Sequence, residues 1–293
     1  MQRVSVIIPT LGYAQRAVLT RRAVDSVLSQ DRVRAVPIVV VNGAMADPEL
    51  VRELRANGRV RVEHLAEADL PGALRRGREL VDTPFFTELD DDDLLLPCAL
   101  AHRVEMLERA PESDAVITNG IVLRDGRSRI HNRDIAAIAR DPWPAMLHRN
   151  WLLPGSWLCR NTTTSARLFE GMPKYLECTF LAMKLLAGYR PMFSQRATVV
   201  WNVDSFHTTS DITQRVLGQA DAVRQLLQLQ LPPFARRAFE LRVAAALHSS
   251  AQQLLDAGHV RDAWRWHLQS LVAPGGWRYA TFTRHLVTAV WRR

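Results

Sequence analysis

Four consecutive carboxylates, Asp90-Asp91-Asp92-Asp93, follow the apolar run Phe85-Phe86-Thr87-Glu88-Leu89 and precede Leu94-Leu95-Leu96-Pro97. Side chains so close in sequence repel one another unless water or a cation neutralises them. A divalent metal is the natural counter-charge. Hard oxygen ligands of this kind suit Mn²⁺ or Mg²⁺, ions that keep open positions for water and phosphate oxygens, so the implied ligand is a diphosphate. In extended backbone successive side chains alternate faces, which predicts that Asp90 and Asp92 share a cleft while Asp91 and Asp93 point elsewhere. The competing reading is a solvated acidic turn, with Asp93 capping a helix that begins near Pro97.

The elements that must position this run alternate along the chain. Val4 to Ile8, closed by Pro9, and Pro37 to Val41, closed by Asn42-Gly43, read as buried strands. Between them Ala17, Val18, Ala23, Val24, Val27 and Leu28 recur at helical spacing. The pattern repeats with a helix over 48–57, a strand over 60–65, a helix over 70–81 and a strand over 85–89. Such alternation predicts an α/β fold with a mainly parallel sheet and right-handed crossovers. Ligands of such sheets bind beyond the carboxyl ends of the strands. Pro9-Thr10-Leu11, Asn42-Gly43-Ala44 and the aspartate run are therefore the places to search. Leu, Ala, Arg and Gln at helical spacing take over across 214–230, 234–257 and 260–272. Residues 1–213 are expected to form the α/β domain and 214–293 a helical appendage.

The composition narrows the alternatives. With 293 residues, 47% hydrophobic and 23% charged, the chain has a globular make-up and room for one large domain or two modest ones. Its apolar runs, such as Val36 to Val41, fall far short of the ~20 residues that cross a bilayer, and its start lacks a signal-peptide layout. A cytoplasmic location is expected. Cys98, Cys159 and Cys178 are far apart and odd in number, which suits neither a disulfide framework nor a zinc site. No Gly-x-Gly-x-x-Gly follows the first strand and no P-loop Gly-Lys is present, which sets aside dinucleotide and P-loop enzymes. The net charge of +8 lies almost wholly in residues 215–293, where eleven arginines meet four acids. Mixed with Trp277, Tyr279 and Trp291, this charge suits peripheral contact with anionic lipid, against the alternative of a solvated basic cover. No nucleic-acid motif accompanies it, so no nucleic-acid partner is expected.

Val4-Ser-Val-Ile-Ile-Pro-Thr10, Arg22-Ala-Val-Asp-Ser-Val-Leu-Ser-Gln30 and Leu89-Asp-Asp-Asp-Asp-Leu-Leu-Leu-Pro97 resemble, in motif, order and spacing, the family 2 glycosyltransferases of the GT-A fold. Trp157-Leu-Cys-Arg160 resembles the short strand before that family's acceptor region. Glu177 through Leu186-Ala-Gly-Tyr189 resembles its Glu-Asp-x-x-x-x-x-(Arg/Lys)-Leu-x-x-x-Gly-Tyr segment, and coverage extends over residues 3–210. The resemblance implies a Rossmann-like GT-A sheet that binds a nucleotide-diphosphate sugar, foremost a UDP-sugar. It also implies a DxD motif holding Mn²⁺ or Mg²⁺ and a carboxylate base.

Carried over residue by residue, Asp90 and Asp92 match the DxD pair, with Asp92 the direct metal ligand and Asp91 able to share the role. Pro9 and Thr10 fall near the nucleoside. Asn42 stands where an acid usually contacts the nucleobase, and its amide adds hydrogen-bond donors. Arg76, beside Arg75, is the candidate that reaches the phosphates; its alternative is a solvated basic helix face. His207, after the last strand, would complete the metal site. The family's usual base position holds Cys178, a poor base at neutral pH, which leaves Glu177 as the catalytic candidate, against a helix-capping role. Trp157 is a candidate sugar platform, against service in the core. The implied activity is metal-dependent inverting transfer to a hydroxyl of a glycan or lipid-linked acceptor, in cell-surface polysaccharide or glycolipid assembly. The rival is a catalytically silent scaffold that binds nucleotide sugar or glycan.

Overall fold

The computed structural model describes residues 1–203 and 212–291. It opens with β1 (Arg3–Thr10), α1 (Ala17–Leu28), β2 (Arg34–Asn42), α2 (Pro48–Ala56), β3 (Arg61–Leu65), α3 (Leu70–Glu79) and β4 (Phe85–Glu88). β1, β2 and β4 are buried along nearly their whole length, as strands covered on both faces must be, and this is why they read as unbroken apolar runs. They pair in parallel in the order β3-β2-β1-β4, with Thr10 opposite Val41 and Asn42 opposite Leu65. The expected strands and helices are all present, with ends that differ by a few residues. α3 lies directly on β1. A Cβ at Gly77 would stand 2.3 Å from Cγ2 of Ile7, so no larger residue fits there without movement.

The second half of the sheet is mixed. After β4 come β5 (Leu94–Leu95), α4 (Ala99–Arg109), β6 (Ala115–Arg124), β7 (Arg127–Ile130), α5 (Ile135–Arg140), α6 (Pro142–His148), β8 (Trp157–Arg160), α7 (Glu177–Gly188) and β9 (Pro191–Asn202). The sheet continues β4-β8-β6-β9-β5, with β7 on the flank of β6. β8 runs antiparallel to both β4 and β6, β9 runs parallel to β6, and β5 runs antiparallel to β9. β1 to β4, β6 and β9 share one direction, so the sheet is mainly parallel, as expected.

Trp157 is fully buried, edge-on to Phe86 at 5.8 Å, and its Nε1 donates to Glu88 Oε1 at 3.1 Å. Its place is in the core and not on a sugar. Arg103 of α4 is also fully buried, donating to Thr198 Oγ1, the Trp157 carbonyl and the Gly155 carbonyl. It ties β8 to β9 through neutral acceptors.

The described residues of Met1–Glu170 and Leu181–Phe206 form one compact unit, and those of Gly171–Phe180 and His207–Arg293 form another. The second unit is helical: α8 (Ile212–Leu226), α9 (Pro233–Asp256), α10 (Val260–Val272) and α11 (Thr283–Trp291). Just past the end of α9, Gly258 has a φ of +80°, which lets the His259 amide turn back to the Leu254 carbonyl at 2.8 Å. Ala251, Leu254, Ala263, Phe282 and Leu286 form a core within this unit. No described helix is long and apolar enough to cross a membrane.

Candidate active site

β1, β2 and β4 deliver Thr10, Asn42 and the aspartate run to one edge of the sheet. The run is not extended. The chain must reverse between β4 and β5, because β5 pairs antiparallel with β9. It does so in a tight turn, in which the Asp93 amide donates to the Asp90 carbonyl at 3.1 Å. This corrects the alternation expected for the run: Asp93 joins Asp90 and Asp92, and Asp91 alone points away. One carboxylate oxygen from each of Asp90, Asp92 and Asp93 lies within 4.8 Å of the others. Asp93 caps no helix. α4 begins at Ala99 behind Cys98, which has a φ of +58° and makes no side-chain cap.

The α1 segment explains its own motif. Ser26 Oγ accepts from the Leu95 amide at 3.1 Å, while Gln30 Nε2 donates to the Leu96 carbonyl at 3.0 Å and its Oε1 accepts from the Leu100 amide at 3.1 Å. Ser26 in the last turn of α1 and Gln30 just past its end together clamp the strand that leaves the acidic turn.

The electrostatics of the turn rest on a residue that sequence reasoning missed. Arg16, buried at the start of α1, places Nη2 at 2.5 Å from Asp91 Oδ1 and 3.0 Å from Asp92 Oδ2. Burial works against the guanidinium charge, but hydrogen bonding and attraction from Asp91, then Asp92, raise its pKa above the ordinary value. The available signal was that Arg16 is the one charged residue between β1 and α1. Asp91 also accepts from Thr10 Oγ1 at 2.5 Å. Thr10 Oγ1 in turn accepts from the Gly12 amide, and Asn42 Nδ2 donates to the Thr10 carbonyl at 3.0 Å. Thr10 and Asn42 thus support Asp91 from below, and Pro9 is buried in β1 opposite Val40.

Asp93 differs from its neighbours. Its Oδ1 accepts from the Asn202 amide at 2.8 Å, whereas Oδ2 is buried and has no hydrogen-bond partner. Burial first, then the charges of Asp90 and Asp92, push its pKa well above the ordinary carboxyl value. A buried carboxylate that keeps one unsatisfied oxygen and clusters with two others fits a hard divalent cation, for which Asp90, Asp92 and Asp93 would supply the donors.

The other expected residues lie as follows. Arg76 is half-exposed on α3 and paired with Glu63 at 3.2 Å and Glu79 at 2.9 Å; Arg75 faces Asp69 at 3.5 Å. Arg160 donates to the Ser113 and Leu107 carbonyls, the latter at the end of α4. Glu177 opens α7, half-buried, with Oε1 accepting from the Tyr175 amide at 2.9 Å, and Cys178 beside it is a half-buried thiol outside any disulfide. His207 lies outside the described residues.

Comparison with known proteins gives a consistent result. The family described as Glycosyl transferase family 2 matches residues 5–171, more than half of the chain. A glycosyltransferase of Rickettsia felis, itself uncharacterized, is 28% identical over 123 residues, 42% of this chain and 20% of that protein. Another, from Rickettsia typhi, is 27% identical over 125 residues, 43% of this chain and 38% of that protein. The match thus spans between a fifth and two-fifths of the length of these curated relatives. Among solved structures, Staphylococcus aureus TarS 1–349 in complex with UDP-GlcNAc superposes with a TM-score of 0.58 at 14% identity, over 85% of this chain and 72% of that one. The mannosyltransferase PcManGT of Pyrobaculum calidifontis, in complex with GDP-Man and Mn²⁺, gives 0.55 at 19% identity, over 99% and 86%. These likenesses show a shared GT-A fold.

Proposed function

The chain belongs to glycosyl transferase family 2, and from that premise we propose that it is a metal-dependent, inverting glycosyltransferase. Its donor is a nucleotide-diphosphate sugar, a UDP-sugar before others, and its acceptor is a hydroxyl of a glycan or lipid-linked glycan. Its place is in the cytoplasm, in cell-surface polysaccharide or glycolipid assembly. The observation that carries the reading is the acidic turn at the carboxyl edge of the sheet, with three converging carboxylates and one buried oxygen left without a partner. Structural neighbours bound to UDP-GlcNAc, and to GDP-Man with Mn²⁺, support it.

In this reading Asp90, Asp92 and Asp93 hold Mn²⁺ or Mg²⁺. A bound divalent ion supplies positive charge to offset the charge that builds on the departing diphosphate. Arg16 and Thr10 fix Asp91, and Arg16 also orients Asp92, so the carboxylates need no reorganisation when donor arrives. Glu177 takes the proton of the acceptor hydroxyl as its oxygen bonds to the anomeric carbon. The bond from that carbon to the diphosphate breaks on the opposite face, which inverts the configuration. The Tyr175 amide restrains the Glu177 carboxylate.

The test is a screen of nucleotide sugars for Mn²⁺-dependent release of nucleoside diphosphate. Asp92→Asn is expected to lose metal-dependent donor binding, whereas Glu177→Gln keeps donor binding and loses about a thousandfold in turnover. Full turnover in Glu177→Gln would move the base elsewhere. Cys178 at the usual base position favours the second reading, a silent nucleotide-sugar or glycan-binding scaffold, which predicts donor binding without turnover in the wild type.

A further inference from the structure

The helical unit exposes apolar surface in a pattern its own fold does not use. Of twelve exposed large apolar side chains among the described residues, seven lie between 234 and 291. On α10, Arg261, Arg265, Leu268 and Val272 follow at spacings of four, three and four, which sets them in one stripe. That stripe is opposite the buried Val260, Ala263, His267 and Ser270. On α11, Arg284, Val287, Thr288 and Trp291 share a face opposite the buried Leu286. Between the helices Trp277 is 74% exposed, with the Arg278 guanidinium 5.8 Å from its ring centroid. Asp262 is the one acid from residue 257 to residue 291, against four arginines.

We propose that this surface docks the protein on an anionic lipid bilayer. Each stripe joins guanidinium groups to apolar side chains, the pairing that lets a helix lie in the headgroup region with its apolar groups below and its charges at lipid phosphates. Tryptophan is suited to that depth, since its ring is apolar and its N–H is polar. Two rival occupants fit less well. Leu268, Val272 and Val287 have no π-face on which a base could stack, which argues against single-stranded nucleic acid. A two-fold contact through the same face would set arginines against arginines.

The test is sedimentation of the full chain with phosphatidylcholine vesicles, with and without phosphatidylglycerol. Binding is expected only where phosphatidylglycerol is present, and it weakens as salt rises. The double variant Trp277→Ala/Trp291→Ala weakens it about tenfold, and Arg→Gln at 261, 265, 278 and 284 together about a hundredfold. Trp277→Phe/Trp291→Phe, which keeps apolar bulk, retains most of the binding. Equal binding to both vesicle types, no binding, or no response to the variants would overturn the proposal. So would a wild-type dimer that the variants dissociate, or tight binding of single-stranded RNA. The inference does not rest on the transferase reading: donor hydrolysis without vesicles stays unchanged in these variants, so the two fail separately.

Discussion

Arg16 and Arg103 are both buried in the sheet unit and are held in opposite ways. Arg16, at the carboxyl edge, lies between two carboxylates. Arg103, in the interior, meets only a hydroxyl and two carbonyls in the hydrogen bonds described above, and burial lowers its pKa. At the edge proposed to hold a metal and a diphosphate, anions are concentrated and a cation is buried to match them. Where only strands are to be joined, dipoles suffice. Removing Arg16 therefore uncovers a charge, whereas removing Arg103 uncovers neutral acceptors.

The strongest attempt to break this contrast is a double-mutant cycle. Arg16→Met should cost about 3–5 kcal/mol in urea unfolding, because Asp91 is left buried without its counter-charge. Adding Asp91→Asn should recover a large part of that cost. Arg103→Met should cost about 2–4 kcal/mol through unsatisfied acceptors and altered packing, and no removal of a carboxylate should recover it. Equal behaviour of the two arginines in such cycles would end the comparison.

His131 sharpens the interior side. It is buried against the Asn150 carbonyl and the Arg149 guanidinium, and burial, then Arg149, lowers its pKa to about 4. Between pH 6.5 and 4 the unfolded chain takes up a proton that the folded chain refuses. The stability this residue contributes is therefore complete above pH 6.5 and is lost as pH falls towards 4. His131→Gln should flatten the acid limb of the stability profile by on the order of 2 kcal/mol at pH 4.5, read by urea titration. An unchanged acid limb would mean that His131 is protonated in the fold.

Arg76 supplies the small end of the scale. Its pairs with Glu63 and Glu79 are solvent-accessible, so Arg76→Gln should change stability by less than about 1 kcal/mol. If Arg76 instead reaches the donor phosphates, the same substitution raises the donor KM several-fold, and steady-state kinetics decide between the two.

The two halves of the sheet were not equally legible in the sequence. β1, β2 and β4 write themselves as apolar runs because both of their faces are covered, and α1 to α3 show clear helical spacing. β5 is two residues long, and β9 pairs with β6 through shifted registers near Asn119, so neither carries a clean period. At the site, Asp90 and Asp92 were legible as residue types on a strand end. The part played by Asp93 was not, because alternation of faces fails in a turn, and this turn is imposed by β9 more than a hundred residues downstream. Arg16 was equally hidden, since its partners lie 75 and 76 residues away and no local pattern announces them.

The most direct measurement is titration of Mn²⁺ by electron paramagnetic resonance, with nucleotide-sugar donor present, in the wild type and in Asp92→Asn. The account predicts that the wild type depletes the signal of free Mn²⁺ and binds donor far more weakly once the metal is chelated, while Asp92→Asn does neither. Donor binding that is equally tight after chelation, and unaltered by Asp92→Asn, would contradict it.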